Sequence, residues 1–332
     1  MDIFIICILL AIGLVLIAKG GDFFVDGASW LAEVSGIPKF IIGATIVSVA
    51  TTLPEIVVSL ISAKSQPDMA IGNAVGSVVF NTGIIMSIAL IAQPFVIKRR
   101  EYAFKGILLA VVMLALSIFS FKGVDISNIT SETKGLFGYI GSFVLLAFFV
   151  AFIIENIIST KKHAQEEIED SEKPAVSKTN VTVNVLKLIF GAIAIAGGAI
   201  LLKNNAVALA TKLGMSQSVI GVTILAIGTS LPELVTMIIA VKKGSASLSI
   251  GNIIGANVID LTIILPISAF IASGAGLVVS NDHLLITMPV TLLIISLGII
   301  PTLIFKKFSR WQGVMMLVIY LAYFTHNIIS VI

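Results

Sequence analysis

At 332 residues, 58% of them hydrophobic and only 12% charged, the chain carries about half the charge typical of a soluble domain. This composition excludes a soluble enzyme and points to a polytopic membrane protein. The excess of 21 basic over 18 acidic residues forms no nucleic-acid motif, and a lone cysteine, Cys7, excludes an internal disulfide and CxxC metal chemistry.

Apolar runs of about 17–25 residues, enough to cross a bilayer, recur along the chain. The first is predicted over 3–18, with no basic segment or cleavage site before it, so it reads as a retained span and not a signal peptide. Further spans follow at 39–63, 70–93, 104–121 and 136–158. Ser159–Asn180, rich in Lys and Glu and without apolar periodicity, reads as a mobile polar linker. Beyond it come 183–202, 216–241, 247–273, 283–304 and 312–330. The predicted fold class is therefore all-α and polytopic, with ten transmembrane helices. Residues 1–158 form a first five-helix half, 159–182 a linker and 183–332 a second half.

With the N-terminus outside, sixteen of the 21 lysines and arginines fall in inner loops, among them Lys39, Lys98–Arg100, Lys105, Lys242 and Lys243. That is a positive-inside bias. It places both termini outside and the 159–180 linker in the cytoplasm of a cell (plasma) membrane protein. An odd number of spans in each half makes the halves inverted repeats, a frequent transporter arrangement. Asp22, Asp26 and Glu33 are expected in a loop at the inner face, as a solvated or gating surface.

The two halves carry matching sentences. Residues 42–63 and 220–241 share ten identities in 22, including Thr-x-Leu-Pro-Glu at 51–55 and 229–233, 178 positions apart. Ile71-Gly72-Asn73 through Asn81 then matches Ile250-Gly251-Asn252 through Asp260. Pro54 and Pro232 each remove a backbone donor from an apolar run, so the second and seventh helices are predicted to be broken. Irregular backbone in a membrane is tolerated only where protein encloses it. Around these breaks cluster Thr51, Thr52, Glu55, Thr229, Ser230 and Glu233, joined by Ser77, Asn81 and Asp260 from the following spans. All offer oxygen, none is a histidine or thiol, and no lysine or arginine is expected in the core spans. Such a donor set suits hard cations, above all Ca²⁺ and Na⁺. Intramembrane acids are expensive and mark ion pathways. Asn73 and Asn252 read equally as ligands or as bonds between helices, and His163, His283 and His326 share no spacing.

Gly-x-Thr through Thr-Ser/Thr-x-Pro-Glu, followed by Gly-Asn-x-x-Gly and written twice, resembles the alpha-repeats of the cation/Ca²⁺ antiporter superfamily, nearest to prokaryotic sodium/calcium exchangers. The resemblance implies alternating access, with the first and sixth spans sliding across a core of spans two, three, seven and eight. It also implies an ion-binding set of Ser48, Thr51, Thr52, Glu55, Ser77 and Asn81 with Ala226, Thr229, Ser230, Glu233, Ala256 and Asp260. Positions 48 and 226 would serve through their main-chain carbonyls. Thr52 in place of serine, Ala256 in place of serine and Ser48 in place of alanine depart from the usual pattern.

The expected function is secondary active export of Ca²⁺ in exchange for Na⁺. The alternative is proton-coupled antiport of Ca²⁺ or of Mg²⁺ or Mn²⁺, and K⁺ co-transport is compatible with Asp260. No cofactor is expected to be permanently bound. The expected partners are the lipid bilayer and small inorganic cations, not nucleic acid, and a single chain suffices. A channel, an intramembrane hydrolase or a scaffold would each leave the paired acids unexplained.

Overall fold

The computed structural model describes residues 2–65, 67–94, 99–125, 130, 133–168, 178–214, 226–272, 274 and 276–331. In chain order the α-helices are α1 (Ile3–Ser35), α2 (Lys39–Ile42), α3 (Ser48–Thr51), α4 (Leu53–Ser65), α5 (Pro67–Phe80), α6 (Ser87–Ala92), α7 (Arg99–Ser120) and α8 (Tyr139–Ile168). They continue as α9 (Lys178–Lys212), α10 (Ala226–Thr229), α11 (Leu231–Lys242), α12 (Ala246–Ile259), α13 (Leu265–Ile271), α14 (Met288–Phe305) and α15 (Arg310–Val331). Wider π-helical turns occupy Gly43–Val47, Asn81–Met86, Asp260–Ile264 and His283–Thr287. Eight helices or continuous helical runs among the described residues are long and apolar enough to cross a bilayer, and Lys39–Thr51 with Leu53–Ile61 make a ninth as one broken span. The two carrying the Gly-Asn motifs are the most enclosed, with 78% and 83% of their apolar windows buried against 22% in α1 and α9.

The chain forms two compact units, one of Met1–Pro54, Asn156–Ile253 and His326–Ile332, the other of Glu55–Glu155 and Ile254–Thr325. In the first unit α1 and α9 pair along most of their length. Methyl groups added at Gly13, Gly20 and Gly27 would press on Gly198, Ala194 and Leu188 respectively, and those at Gly191 and Gly198 on Phe24 and Ile17. Position rises on one helix as it falls on the other, so the two run antiparallel. Small residues every seventh position allow this close approach. Phe24, Val25, Ala28 and Ala32 pack with Ile42, Val47, Ile195, Ala240 and Leu248 in the unit's core.

This packing corrects the expected end of the first span. The helix continues from 18 to Ser35 because Gly20, Gly21, Phe24, Val25, Ala28 and Ala32 keep its buried stripe going, and it stops at left-handed Gly36 (φ 70°). Asp22, Asp26 and Glu33 therefore stand on a helix and not in a loop. Lys243 at the end of α11 pairs with Asp22 at 3.3 Å and Asp26 at 2.7 Å, and Lys39 with Glu33 at 3.5 Å. The polar linker is also shorter than expected. Its Lys, Ala, Gln and Glu are good helix formers, so α8 runs on to Ile168 and α9 starts at Lys178; 169–177 lie outside the described residues. Lys203, expected in an outer loop, lies in α9 with its aliphatic stem over Gly228.

In the second unit two short strands, β1 (Lys134–Gly138) and β2 (Gly276–Ser280), pair antiparallel with Phe137 opposite Leu277. The all-α reading did not anticipate them. Glycine makes the pairing feasible, since Gly276 has φ 139° and a methyl group there would collide with the carbonyl of Phe137. Pro301, inside α14, removes the donor that the carbonyl of Leu297 would use. The Gln312 amide replaces it, donating to that carbonyl at 3.0 Å and to Thr302 Oγ1 at 2.9 Å.

Lys105 is fully buried and bonds Glu155 at 2.5 Å, linking α7 and α8. Lys105, counted with the inner loops, is thus a buried residue of α7, and Glu155 is a buried acid that sequence reading passed over. Breaking such a pair leaves a buried charge uncompensated. Lys105→Met is expected to cost about 3–5 kcal/mol, read as a lower unfolding temperature in detergent. Lys105→Met with Glu155→Gln recovers much of it.

Candidate ion-binding site

The motif glycines come first, because they set how closely backbones approach. In the first unit the segment 39–47 crosses α12 backbone to backbone. A methyl group on Gly43 would collide with the carbonyl of Leu248, and one on Gly251 with the carbonyl of Phe40. This crossing brings Thr51 to Asn252, where Thr51 Oγ1 donates to Asn252 Oδ1 at 3.1 Å.

The helix then breaks at Thr52 (φ −81°, ψ −1°) and restarts at Leu53. The second repeat breaks at the matching residue, Ser230 (φ −87°, ψ 10°), and restarts at Leu231. Each proline therefore stands in the first turn of a new helix, where a missing donor costs little. Glu55 and Glu233 fall in those same first turns, where the helix dipole favours negative charge. Thr52 Oγ1 donates to the carbonyl of Ser48 at 2.7 Å and to Glu233 Oε1 at 3.5 Å. Its extra methyl is accommodated, for Thr52 is fully buried with its hydroxyl turned to these oxygens. The Ser48 carbonyl also accepts from the Thr52 N–H at 3.0 Å and from Thr51 Oγ1 at 3.4 Å. To hold an ion it would have to release these hydroxyls. Glu233 is 1% exposed, and its Oε2 has no hydrogen-bond partner among the described residues.

The second unit holds Glu55, Ser77, Asn81, Ala256 and Asp260, none more than 1% exposed. Asn73 Nδ2 donates to Ser59 Oγ at 2.9 Å and to the Glu55 carbonyl at 3.5 Å, which fixes the turn bearing Glu55. Asn81 and Asp260 each open a π-helical turn at matched positions of the two repeats. Such turns are frequent at functional sites. Asn81 Nδ2 donates to Asn257 Oδ1 at 3.0 Å, while Asn81 Oδ1 and Ser77 Oγ are buried without a partner among the described residues.

Of the remaining expected residues, Thr229 and Ser230 are buried in the first unit. Ala226 opens α10, and its side chain lies outside the described residues. Within each unit, among the described residues, no three side chains of His, Cys, Asp or Glu converge on one metal position. Sequence reasoning missed Asn257 and Ser59. Asn257 replaces an apolar residue, Val78, at the matched position of the first repeat, and Ser59 stands one turn after Glu55. Both signals were present as polar residues in buried helices.

The matched helix breaks and matched π-turns are a repeat-specific pattern. The model of the sodium/calcium exchanger protein family matches residues 5–157 and 183–329, leaving out only the ends and the polar segment. The chain belongs to that family. It is a multi-pass membrane antiporter of the sodium/calcium type and not an enzyme. The inner membrane protein YrbG of Escherichia coli is 33% identical over 272 residues, 80% of each chain. The sodium/calcium exchanger MaX1 of Methanosarcina acetivorans is 29% identical over 340 residues, covering 95% of this chain and 96% of that one. Among solved structures, the sodium-calcium exchanger NCX_Mj soaked with 10 mM Na⁺ and 10 mM Sr²⁺ superposes with a TM-score of 0.80 at 27% identity, over 97% of this chain and 98% of that one. The two-repeat exchanger architecture is therefore common to both.

Proposed function

We propose that this exchanger exports Ca²⁺ from the cell in exchange for Na⁺ by alternating access. Ser48, Thr51, Thr52, Glu55, Ser77, Asn81, Ala226, Thr229, Ser230, Glu233 and Asp260 act as ligands for the transported ions. The observation that carries the reading is Glu233, an enclosed carboxylate whose Oε1 faces Thr52 and whose Oε2 is unmatched among the described residues. A charged carboxylate so placed is costly without a cation beside it.

The same reading assigns ten spans. Eight are single helices or runs, Lys39–Thr51 with Leu53–Ile61 is the second, and the stretch ending in α10 and α11 is the seventh. Both termini face outward and the linker faces the cytoplasm of the plasma membrane, with halves at 1–158 and 183–332, and a single chain is the working unit. The ion pairs of Lys39 and Lys243 with Glu33, Asp22 and Asp26 support this topology, since all five are expected on the inner side.

The coupling ion is tested with radioactive Ca²⁺ and purified protein in liposomes. Uptake driven by an internal Na⁺ load, and insensitive to a proton ionophore at clamped voltage, is the expected result. Uptake driven only by a pH gradient would establish proton coupling instead.

A further inference from the structure

We propose that Asn257 orients the side-chain amide of Asn81, so that the amide oxygen and not its nitrogen faces the transported cation. The inference rests on the reading of Asn81 as an ion ligand. A carboxamide binds a cation only through its oxygen; turned over, it presents two N–H donors and repels the ion. Size and shape barely distinguish the two orientations, so a hydrogen-bond partner has to choose between them.

Asn257 supplies that choice. Both residues are at most 1% exposed, and Asn81 Nδ2 donates to Asn257 Oδ1 at 3.0 Å. The bond occupies the nitrogen end of Asn81 and leaves its Oδ1 buried with no partner among the described residues, as a cation ligand requires. In this pair Asn81 is the donor and Asn257 the acceptor, and the Asn257 Nδ2 has no partner among the described residues.

The repeats show why only one of them carries this device. The residue matching Asn81 in the second repeat is Asp260, which presents oxygen whichever way it is turned. The residue matching Asn257 in the first repeat is Val78, buried and apolar. The ligand that needs orienting has an amide to orient it. The ligand that needs none has valine at the matching position.

The test is a double-mutant cycle in the full-length exchanger, read by the half-saturating Ca²⁺ of Na⁺-driven uptake in liposomes and by Ca²⁺-induced thermal stabilisation in detergent. Asn257→Val, the first repeat's own residue, is expected to raise half-saturation about fivefold, the equilibrium factor of one neutral hydrogen bond. An aspartate at position 81 has no orientation to lose. Asn81→Asp with Asn257→Val is therefore expected to match Asn81→Asp alone to within about twofold. Unchanged half-saturation in Asn257→Val, or the same rise in both backgrounds, overturns the proposal, because the residue would then act independently of Asn81. Should the valine variant fail to fold, Asn257→Ser removes the carboxamide oxygen and enters the same cycle. Asn81→Ala separates the two readings. If it leaves half-saturation unchanged, Asn81 is no ligand and the inference falls with it; if it weakens Ca²⁺ while Asn257→Val does not, only the orienting role is lost.

Discussion

Glu233→Gln is expected to abolish Na⁺-driven Ca²⁺ uptake while leaving the protein folded. The change keeps the side chain's shape and its oxygen facing Thr52, and removes only the charge. Losing one partner of a buried charge pair costs about 2–5 kcal/mol, so Ca²⁺ binding should weaken by roughly a hundredfold. The empty protein should shift the opposite way. Glu233 is 1% exposed with Oε2 unmatched among the described residues, and an uncompensated buried charge destabilises the fold around it. The variant should therefore melt at a higher temperature than the parent in chelator. It should also lose the stabilisation that Ca²⁺ gives the parent, about 2.7 kcal/mol at a hundred times its Kd. A variant that kept full exchange, or one that melted lower when empty, would remove Glu233 from the ion site. Glu55→Gln is expected to abolish uptake as well.

Gly251→Ala is expected to cost stability out of proportion to one methyl group. The added carbon would collide with the carbonyl of Phe40 and approach the Ala44 nitrogen to 3.1 Å. Both are backbone atoms of a packed helix and cannot turn aside. The segment 39–47 and α12 would have to separate, lengthening the 3.1 Å bond from Thr51 to Asn252. Overpacking of this kind costs about 1–3 kcal/mol, and more where backbone is involved. Gly43→Ala, which meets the carbonyl of Leu248 and the Asn252 nitrogen, is expected to behave alike. Gly76→Ala is the control from the same motif. A methyl group there meets nothing within 4 Å among the described residues, so stability should hold or rise by up to about 1 kcal/mol, the helix-propensity gain of alanine over glycine. Thermal unfolding of the three proteins in detergent orders them, and equal unfolding temperatures for Gly251→Ala and Gly76→Ala would contradict the close crossing.

The duplicated Thr-x-Leu-Pro-Glu and Gly-Asn-x-x-Gly segments made the antiporter family and most of the proposed ligands readable without a structure. Acids and prolines in apolar runs are costly, and a cost incurred twice at matched positions has few physical explanations. Hydropathy likewise located eight of the apolar helices described, because lipid selects side chains one by one. It misplaced the end of α1 and the start of α9, since a polar helix face is silent to a hydropathy window while the glycine stripe behind it holds the helix in place. Composition also left Lys105 and Glu155 as unrelated charges; only their burial against one another shows a pair. Asn252 and Asn257 mark the same limit within the site. Their sequence positions show an amide in an apolar helix, but not which neighbour it meets, and a hydrogen bond depends on that neighbour's distance and direction. Chain chemistry thus determined that this protein binds hard cations within a membrane. Tertiary contact alone decided which amide accepts from Thr51 and which from Asn81, because those contacts join residues 201 and 176 positions apart.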